Sequence, residues 1–536
     1  MTDLAPALAH PAIATFLTVL YTVGFGVVAL FSLRAAVHIV LWFRTGARGA
    51  RAGGDEAVRT ESSDRMRLTH DPHGTFDWAG PSGTIPHVTV QLPIYNERHV
   101  AARVIDAACA LRWPPERFEV QVVDDSTDDT RAVVDEAARR WRARGVDVAV
   151  VRRADRRGFK GGALGEAILQ AKGDALAVFD ADFRPPGDWL LHVLPHLTDG
   201  VAAVQTRWGH LNREQNVLTR VQALSLDGYF GVEQAARSRA GLALHFNGSA
   251  GVWRRAAIAA AGGWSGDTLC EDVDLSYRAQ LAGLRIVMLP QLEAPAELPA
   301  TVLAFKRQQH RWAKGTVQCW RRLVGRIVRS DWPLPKRLHA VASLSTYFVQ
   351  PMLVLLFLGA PLLAVWQPRF HPLLFAFSLL ALTMPVLVGL GQYGLFGDHA
   401  GWWRRLLWYP CLSIVAAGMS LNGALAVLEA LTGAGGEFER TPKVGEGGDG
   451  AGDGADDVAA TGAYRLPLNG QSVCEAGLAA YGWMGIALSV DRHAWGVVAF
   501  VLPFALGFSY IAWWSLVEGF PIVRRQRRRR FGRALS

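Results

Sequence analysis

Carboxylates in this 536-residue chain gather at a few sites with apolar neighbours. "FDADF" (179–183) sets Asp180 and Asp182 one residue apart, and "LCEDVDLSYR" (269–278) groups Glu271, Asp272 and Asp274. Two such carboxylates repel at neutral pH unless a cation sits beside them. Mg2+ or Mn2+ takes oxygen ligands and commonly coordinates phosphates as well. By itself Asp-x-Asp is equally a loop with two solvated aspartates. Asp272 falls at the start of an expected helix, whose dipole should lower its pKa and keep it ionised. An ionised carboxylate within reach of a hydroxyl acts as a general base, although an acidic first helical turn accounts for the same residues without chemistry.

Three further groups join them. "VVDDSTDDT" (122–130) puts Asp124 and Asp125 at a strand end, where carboxylates hydrogen-bond a base or ribose; helix capping explains part of the run. "RRGFKGGAL" (156–164) places Lys160 before two glycines at a helix start, a setting that suits a diphosphate and equally a plain helix entry. "KRQQHRWAKG" (306–315) offers Gln308, Arg311 and Trp312: a tryptophan face to stack on a sugar ring, and donors for hydroxyls or phosphate. The same segment reads as a basic amphipathic helix lying beside a membrane.

The elements that must position these groups alternate. "HVTVQLPIYN" (87–96), "FEVQVVDDS" (118–126), "VDVAVVRR" (146–153) and "DALAVFDAD" (174–182) read as strands. Between them, 100–113, 129–145 and 161–173 have helical spacing, with Ser126, Thr127 or Asp128 as cap of the second and Gly173 closing the third. Such alternation implies βαβ units and a parallel sheet, with ligands at the carboxyl ends of the strands. Tyr95–Asn96, Asp124–Asp125 and Asp180–Asp182 all fall at such ends, so one crevice can collect them.

Half the residues are hydrophobic, and long apolar runs sit toward both ends of the chain. The run 12–43 is too long for a cleaved signal and reads as an anchor; 44–85 is a polar linker, 86–300 the α/β region that carries the acidic groups and 301–337 an amphipathic interfacial segment. Apolar stretches resume at 338–366, 372–396, 405–432, 473–490 and 495–519, each judged against the 20 or so residues a helical span needs. The segment 433–472 is Gly/Asp-rich in its distal half and 521–536 is a basic tail. The net charge of +9 lies largely beside apolar runs, in "RTGARGAR" (44–51) and "RRQRRRRFGR" (524–533). That marks the cytoplasmic side, and without a recognition fold it does not indicate nucleic acid. Keeping both basic segments inside requires an even number of crossings, so 405–432, which begins near "WWRRLLWYP", is the stretch expected to lie in the interface. Five scattered cysteines without a CxxC pair argue against a disulfide framework or a zinc site.

In this order the motifs resemble those of the membrane-embedded, processive family 2 glycosyltransferases, above all the mannan and glucomannan synthases of the cellulose-synthase-like A group. The matching residues are Asp124–Asp125, Asp180-x-Asp182, Glu271–Asp272 and Gln308-x-x-Arg311–Trp312, with "FNGSAGVWR" (246–254) similar to the acceptor-side loop and "FERTPK" (438–443) to the gating loop. The chain departs from the pattern at Arg440, where valine is usual, and in lacking a threonine directly before Glu271.

The resemblance implies an α/β GT-A catalytic domain with a Rossmann-like mixed sheet beside an α-helical transmembrane domain. It implies an inverting hexosyltransferase using a nucleotide sugar, GDP-mannose or UDP-glucose, with Mg2+ or Mn2+ on Asp180 and Asp182. Asp272 would be the base, and Asp124, Asp125, Lys160, Asp180, Phe438 and Thr441 would hold the nucleotide sugar. Asn247, Glu271, Gln308, Arg311 and Trp312 would contact acceptor or diphosphate. The product would be a β-linked polysaccharide passed through a multi-pass protein of the cytoplasmic membrane, or alternatively a glycolipid.

Overall fold

The computed structural model describes residues 11–46, 85–366, 379–433 and 470–519. The gating-loop residues Phe438 and Thr441, most of the 44–85 linker, the Gly/Asp-rich segment and the basic tail lie outside the described residues.

Helix α1 (Pro11–Arg44) precedes a seven-stranded mixed sheet. Its strands are β1 (Val88–Ile94), β2 (Phe118–Asp124), β3 (Val148–Val151), β4 (Ala175–Val178), β5 (Val201–His210), β6 (Gly251–Arg254) and β7 (Arg285–Ala296). They lie in the order β3-β2-β1-β4-β6-β5-β7. The first four pair in parallel, as their alternation with helices requires. Strand β6 then runs antiparallel to both β4 and β5, so the sheet is mixed. Buried valines and alanines of β1, β2 and β4 form the core under the helices. Polar side chains within the sheet are paired: Gln91 donates to Gln121 at 2.8 Å, and Gln121 donates to the Ala167 carbonyl at 2.9 Å.

Helices α2 (Ala101–Cys109), α3 (Thr130–Arg142) and α4 (Phe159–Ala167) are the crossovers. Asp128 accepts the Thr130 N–H at 3.0 Å at the entry to α3. Helix α4 stops at Ala167, six residues before the expected Gly173. Gly173 instead donates its N–H to Thr89 Oγ at 2.8 Å and packs against the β1 backbone, a closeness a side chain would prevent.

After β5 comes α5 (Val217–Gly228), continued by a π-helical turn, Tyr229–Gln234. Helix α6 (Glu271–Leu281) precedes β7, and the 27-residue α7 (Val302–Val328) follows it. Then come α8 (Leu334–Leu344), α9 (Val349–Trp366), α10 (Thr383–Phe396), α11 (Tyr409–Gly418), α12 (Ser420–Thr432), α13 (Gly470–Asp491) and α14 (Trp495–Gly519).

Among the described residues, four helices are long and apolar enough to cross a membrane: Ala12–Arg44, Thr346–Trp366, Gly470–Asp491 and Trp495–Gly519. The 405–432 stretch is not one straight span; Trp402–Gly418 and Ser420–Thr432 meet at a bend of 41°. The described part of 372–396 is a shorter apolar helix, Leu380–Phe396.

Ion pairs and caps tie these helices to the sheet domain and to one another. Arg34 of α1 pairs with Glu233 of the π turn at 2.9 Å, and Trp42 donates to the Gly231 carbonyl at 3.0 Å. Lys306 of α7 pairs with Glu475 of α13 at 2.7 Å, and Lys314 with Glu429 of α12 at 2.9 Å. Glu518 of α14 accepts the Val302 and Leu303 N–H groups, each at 2.9 Å, satisfying the first amides of α7.

Candidate active site

One cleft at the carboxyl ends of β1, β2 and β4 is lined by Asp125, Lys160, Asp180, Asp182, Asn247, Glu271, Asp272, Gln308, Arg311 and Trp312. Asp124 does not line it. It is fully buried, accepting from Arg152 Nε at 2.8 Å and from the Ser126 N–H at 3.0 Å. Asp125 does line the cleft, but Arg153 already engages both its oxygens, at 3.0 and 2.5 Å.

Lys160 occupies the middle of the cleft. Its Nζ donates to Asp180 Oδ1 at 2.5 Å and to the Gly248 carbonyl at 2.8 Å, and lies 3.8 Å from Glu271 Oε1. Burial works against its charge, but Asp180 and Glu271 outweigh burial and hold the pKa above the ordinary lysine value. The backbone before it is strained: Phe159 has φ of +50°, a region bulky side chains avoid. The neighbouring glycines have a packing reason. A Cβ on Gly161 would meet the Ser265 carbonyl oxygen at 2.6 Å and Glu271 Cβ at 2.9 Å, so the lysine helix and the segment leading to Glu271 touch through it.

Glu271 and Asp272 open α6. Burial raises the pKa of both, and for Asp272 the adjacent Glu271 adds to it, pushing the group up to about 7. This reverses the expectation that the helix dipole would hold Asp272 low. The Val273 N–H donates to Asp272 Oδ1 at 2.8 Å but does not offset burial. A carboxylate titrating near neutral pH is well matched to taking a proton from a hydroxyl.

Asn247 and Gly248, just before β6, line the cleft. Gly248 has φ of +79°, and a Cβ there would lie 2.9 Å from Asp272 Oδ2. Asn247 is gripped on three sides: its N–H donates to Gln205 at 2.8 Å, its Nδ2 to Tyr229 Oη at 3.0 Å, and its Oδ1 accepts from Gln234 at 3.0 Å. Ser249 Oγ accepts the Asp180 N–H at 2.9 Å.

Gln308, Arg311 and Trp312 project from one face of α7, where positions three and four apart are neighbours. The Trp312 ring lies 6.2 Å from that of Trp208 on β5. Trp208, His210 and Arg156 also line the cleft, and all three were missed in the sequence; the Arg156 guanidinium lies 3.2 Å from the centre of the Tyr95 ring. Arg156 stood in the quoted basic run before Lys160, whereas nothing local distinguished Trp208.

Asp180 and Asp182 fit a divalent ion of the Mg2+ or Mn2+ kind. Both face the cleft, and among the described residues no group of three or more His, Cys, Asp or Glu could hold a metal. An ion here would therefore complete its shell with phosphate oxygens and water, as these ions do.

A second cavity adjoins the cleft and shares Trp208, Asn247, Asp272, Gln308 and Trp312 with it. Its lining also includes Arg34, Tyr229, Glu233, Ser343, Thr346, Gln350 and Met419.

Residues 86–315 match the family model described as glycosyltransferase like family 2. Glucomannan 4-beta-mannosyltransferase 2 of Arabidopsis thaliana is 42% identical over 255 residues, 46% of this chain and 48% of the relative. Glucomannan 4-beta-mannosyltransferase 1 of Oryza sativa subsp. japonica is 38% identical over 298 residues, 54% of this chain and 56% of the relative. The chain thus spans about half the length of the curated relatives it matches. A mannosyltransferase from Pyrobaculum calidifontis, solved with GDP-Man and Mn2+, covers 75% of this chain and all of its own at 20% identity and a TM-score of 0.44. The mixed sheet, the cleft at its strand ends and the family match agree: residues 86–315 form a domain of the GT-A fold that matches the glycosyltransferase like family 2 model.

Proposed function

We propose that the chain is an inverting hexosyltransferase that extends a β-linked polysaccharide from a nucleotide sugar and passes the product through its own membrane helices. The observation that supports this reading is one cleft lined by Lys160, Asp180, Asp182 and Asp272, adjoined at Asp272 and Trp312 by a second cavity whose lining includes Arg34, Thr346 and Gln350.

In this reading the donor diphosphate lies against Lys160, and the nucleoside lies near Asp125. Asp124 acts one step removed, by fixing Arg152 and the Ser126 turn. A divalent ion held by Asp180 and Asp182 would supply neutralising charge to the diphosphate. Asp272 accepts the proton of the acceptor hydroxyl as its oxygen bonds to the anomeric carbon. The bond from that carbon to the diphosphate breaks on the opposite face, and the nucleoside diphosphate leaves. Trp312 stacks the acceptor sugar, Gln308 and Arg311 orient hydroxyls or phosphate, and Asn247 and Glu271 complete the acceptor side. The catalytic domain faces the cytoplasm of a cytoplasmic-membrane protein, and the cavity lined by Ser343, Thr346 and Gln350 receives the growing chain.

The names of the relatives favour a mannosyl donor, so GDP-mannose is the first choice and UDP-glucose the second. The purified protein is to be given a panel of nucleotide sugars with Mn2+ or Mg2+, following nucleoside diphosphate release and product size. Labelled polysaccharide from one donor is expected. Label confined to solvent-extractable lipid would replace the polymer by a glycolipid, and no release from any donor would remove the enzyme reading.

A further inference from the structure

Three guanidinium groups converge on a single ring at the edge of the catalytic domain. Those of Arg207, Arg213 and Arg405 lie 5.7, 5.3 and 4.1 Å from the centre of the Phe396 ring at the end of α10. Two are neutralised locally. Arg207 pairs with Glu293, and Arg213 pairs with the buried Asp227 at 2.7 Å. Arg405 differs: its Nη1 is buried without a hydrogen-bond partner, and among the described residues no carboxylate forms an ion pair with it. Arg404 stands beside it over the Trp403 ring, 5.9 Å from its centre.

The element carrying these arginines, the 3-10 run Trp402–Trp408, turns apolar side chains outward: Trp403 is 54% exposed and Leu407 69%. Helix α10 adds exposed Met384, Val386 and Tyr393, and Leu382 precedes it. A surface of this composition, with tryptophans beside arginines that form no ion pair, Asp227 and Glu214 acting on Arg405 only from a distance, and next to the membrane helices, suits the headgroup boundary of a bilayer. A guanidinium without an ion pair there is matched by a phosphate reaching its less enclosed nitrogens.

We infer that Arg405, with Arg404, binds the phosphate of an anionic phospholipid whose acyl chains cover Trp403 and Leu407. The inference rests on the proposed reading only in seating this edge at the cytoplasmic leaflet. Arg207 adjoins Trp208 of the cleft along β5, so the lipid would sit against the strand that carries the acceptor-side tryptophan.

The test uses full-length protein in phosphatidylcholine nanodiscs carrying a labelled phosphatidylglycerol, with retained label as readout, so loss of sugar transfer and loss of lipid binding are scored separately. R405Q is expected to weaken retention about fivefold, the effect of one basic charge at a membrane surface, and R404Q/R405Q to weaken it further. R405K, which keeps the charge but lacks the planar guanidinium, should fall between wild type and R405Q. In the unsubstituted protein, retention should fall as salt rises, a measurement independent of whether any variant folds. Millimolar inorganic phosphate should not displace the lipid, because it lacks the acyl contacts. Unchanged retention in R405Q, salt-independent retention by wild type, or full displacement by inorganic phosphate would each overturn the assignment.

Discussion

At the scale of single residues the account turns on why Asp272 titrates near 7. Burial raises it and Glu271, one residue away, raises it further. In the proposed mechanism its ionised form is the base, so turnover should fall as pH drops below about 7, by about tenfold per unit at the acid end. Glu271→Gln removes the adjacent negative charge, which lowers the Asp272 pKa and moves the acidic limb of the rate profile to lower pH. A profile of kcat against pH for both proteins checks the sign; a limb that stays in place or moves up would contradict it. Gly248→Ala is the complementary test. Its positive φ disfavours any side chain by about 1–2 kcal/mol, and the added Cβ lies 2.9 Å from Asp272 Oδ2. Loss of stability of that order, together with reduced turnover, is expected in thermal melts and assays.

At the scale of elements, α7 matters most, because it carries Gln308, Arg311 and Trp312 and is held by charges from helices far along the chain. Lys306 and Glu475 are both buried, so removing one partner leaves the other unpaired. Lys306→Met or Glu475→Met should each cost about 3–5 kcal/mol, and the double variant should recover most of it. Additive losses in thermal unfolding of the purified protein would show that the two do not act as a pair. Local pattern explains which elements could be foreseen. The first four strands and their helices follow from apolar runs and turn residues. The antiparallel β6 could not be foreseen in that way: "GVWR" is only four residues long, and its direction is set by pairing with β4 and β5. The end of α4 was misplaced because Gly173 looks like a helix stop, whereas it is needed for close approach to β1.

At the scale of the whole molecule, residues distant in sequence converge. Lys160, Asp180, Asn247, Asp272 and Trp312 come from separate elements and line one cleft. Their types and places at strand and helix ends were legible, and so was their order. What the sequence did not show is that Asp124 is buried and accepts from Arg152 and from the following turn. Trp208 was invisible because its partner Trp312 lies about a hundred residues away and only the fold joins them. The ion pairs binding α7 to α12 and α13 were hidden for the same reason.

The most direct test of the whole account compares wild-type protein with Asp272→Asn, measuring donor binding and nucleoside diphosphate release on the same preparation. The account predicts donor affinity within a few-fold of wild type and release slowed about 10²–10⁴-fold, as for loss of a general base. Release at the wild-type rate would contradict it.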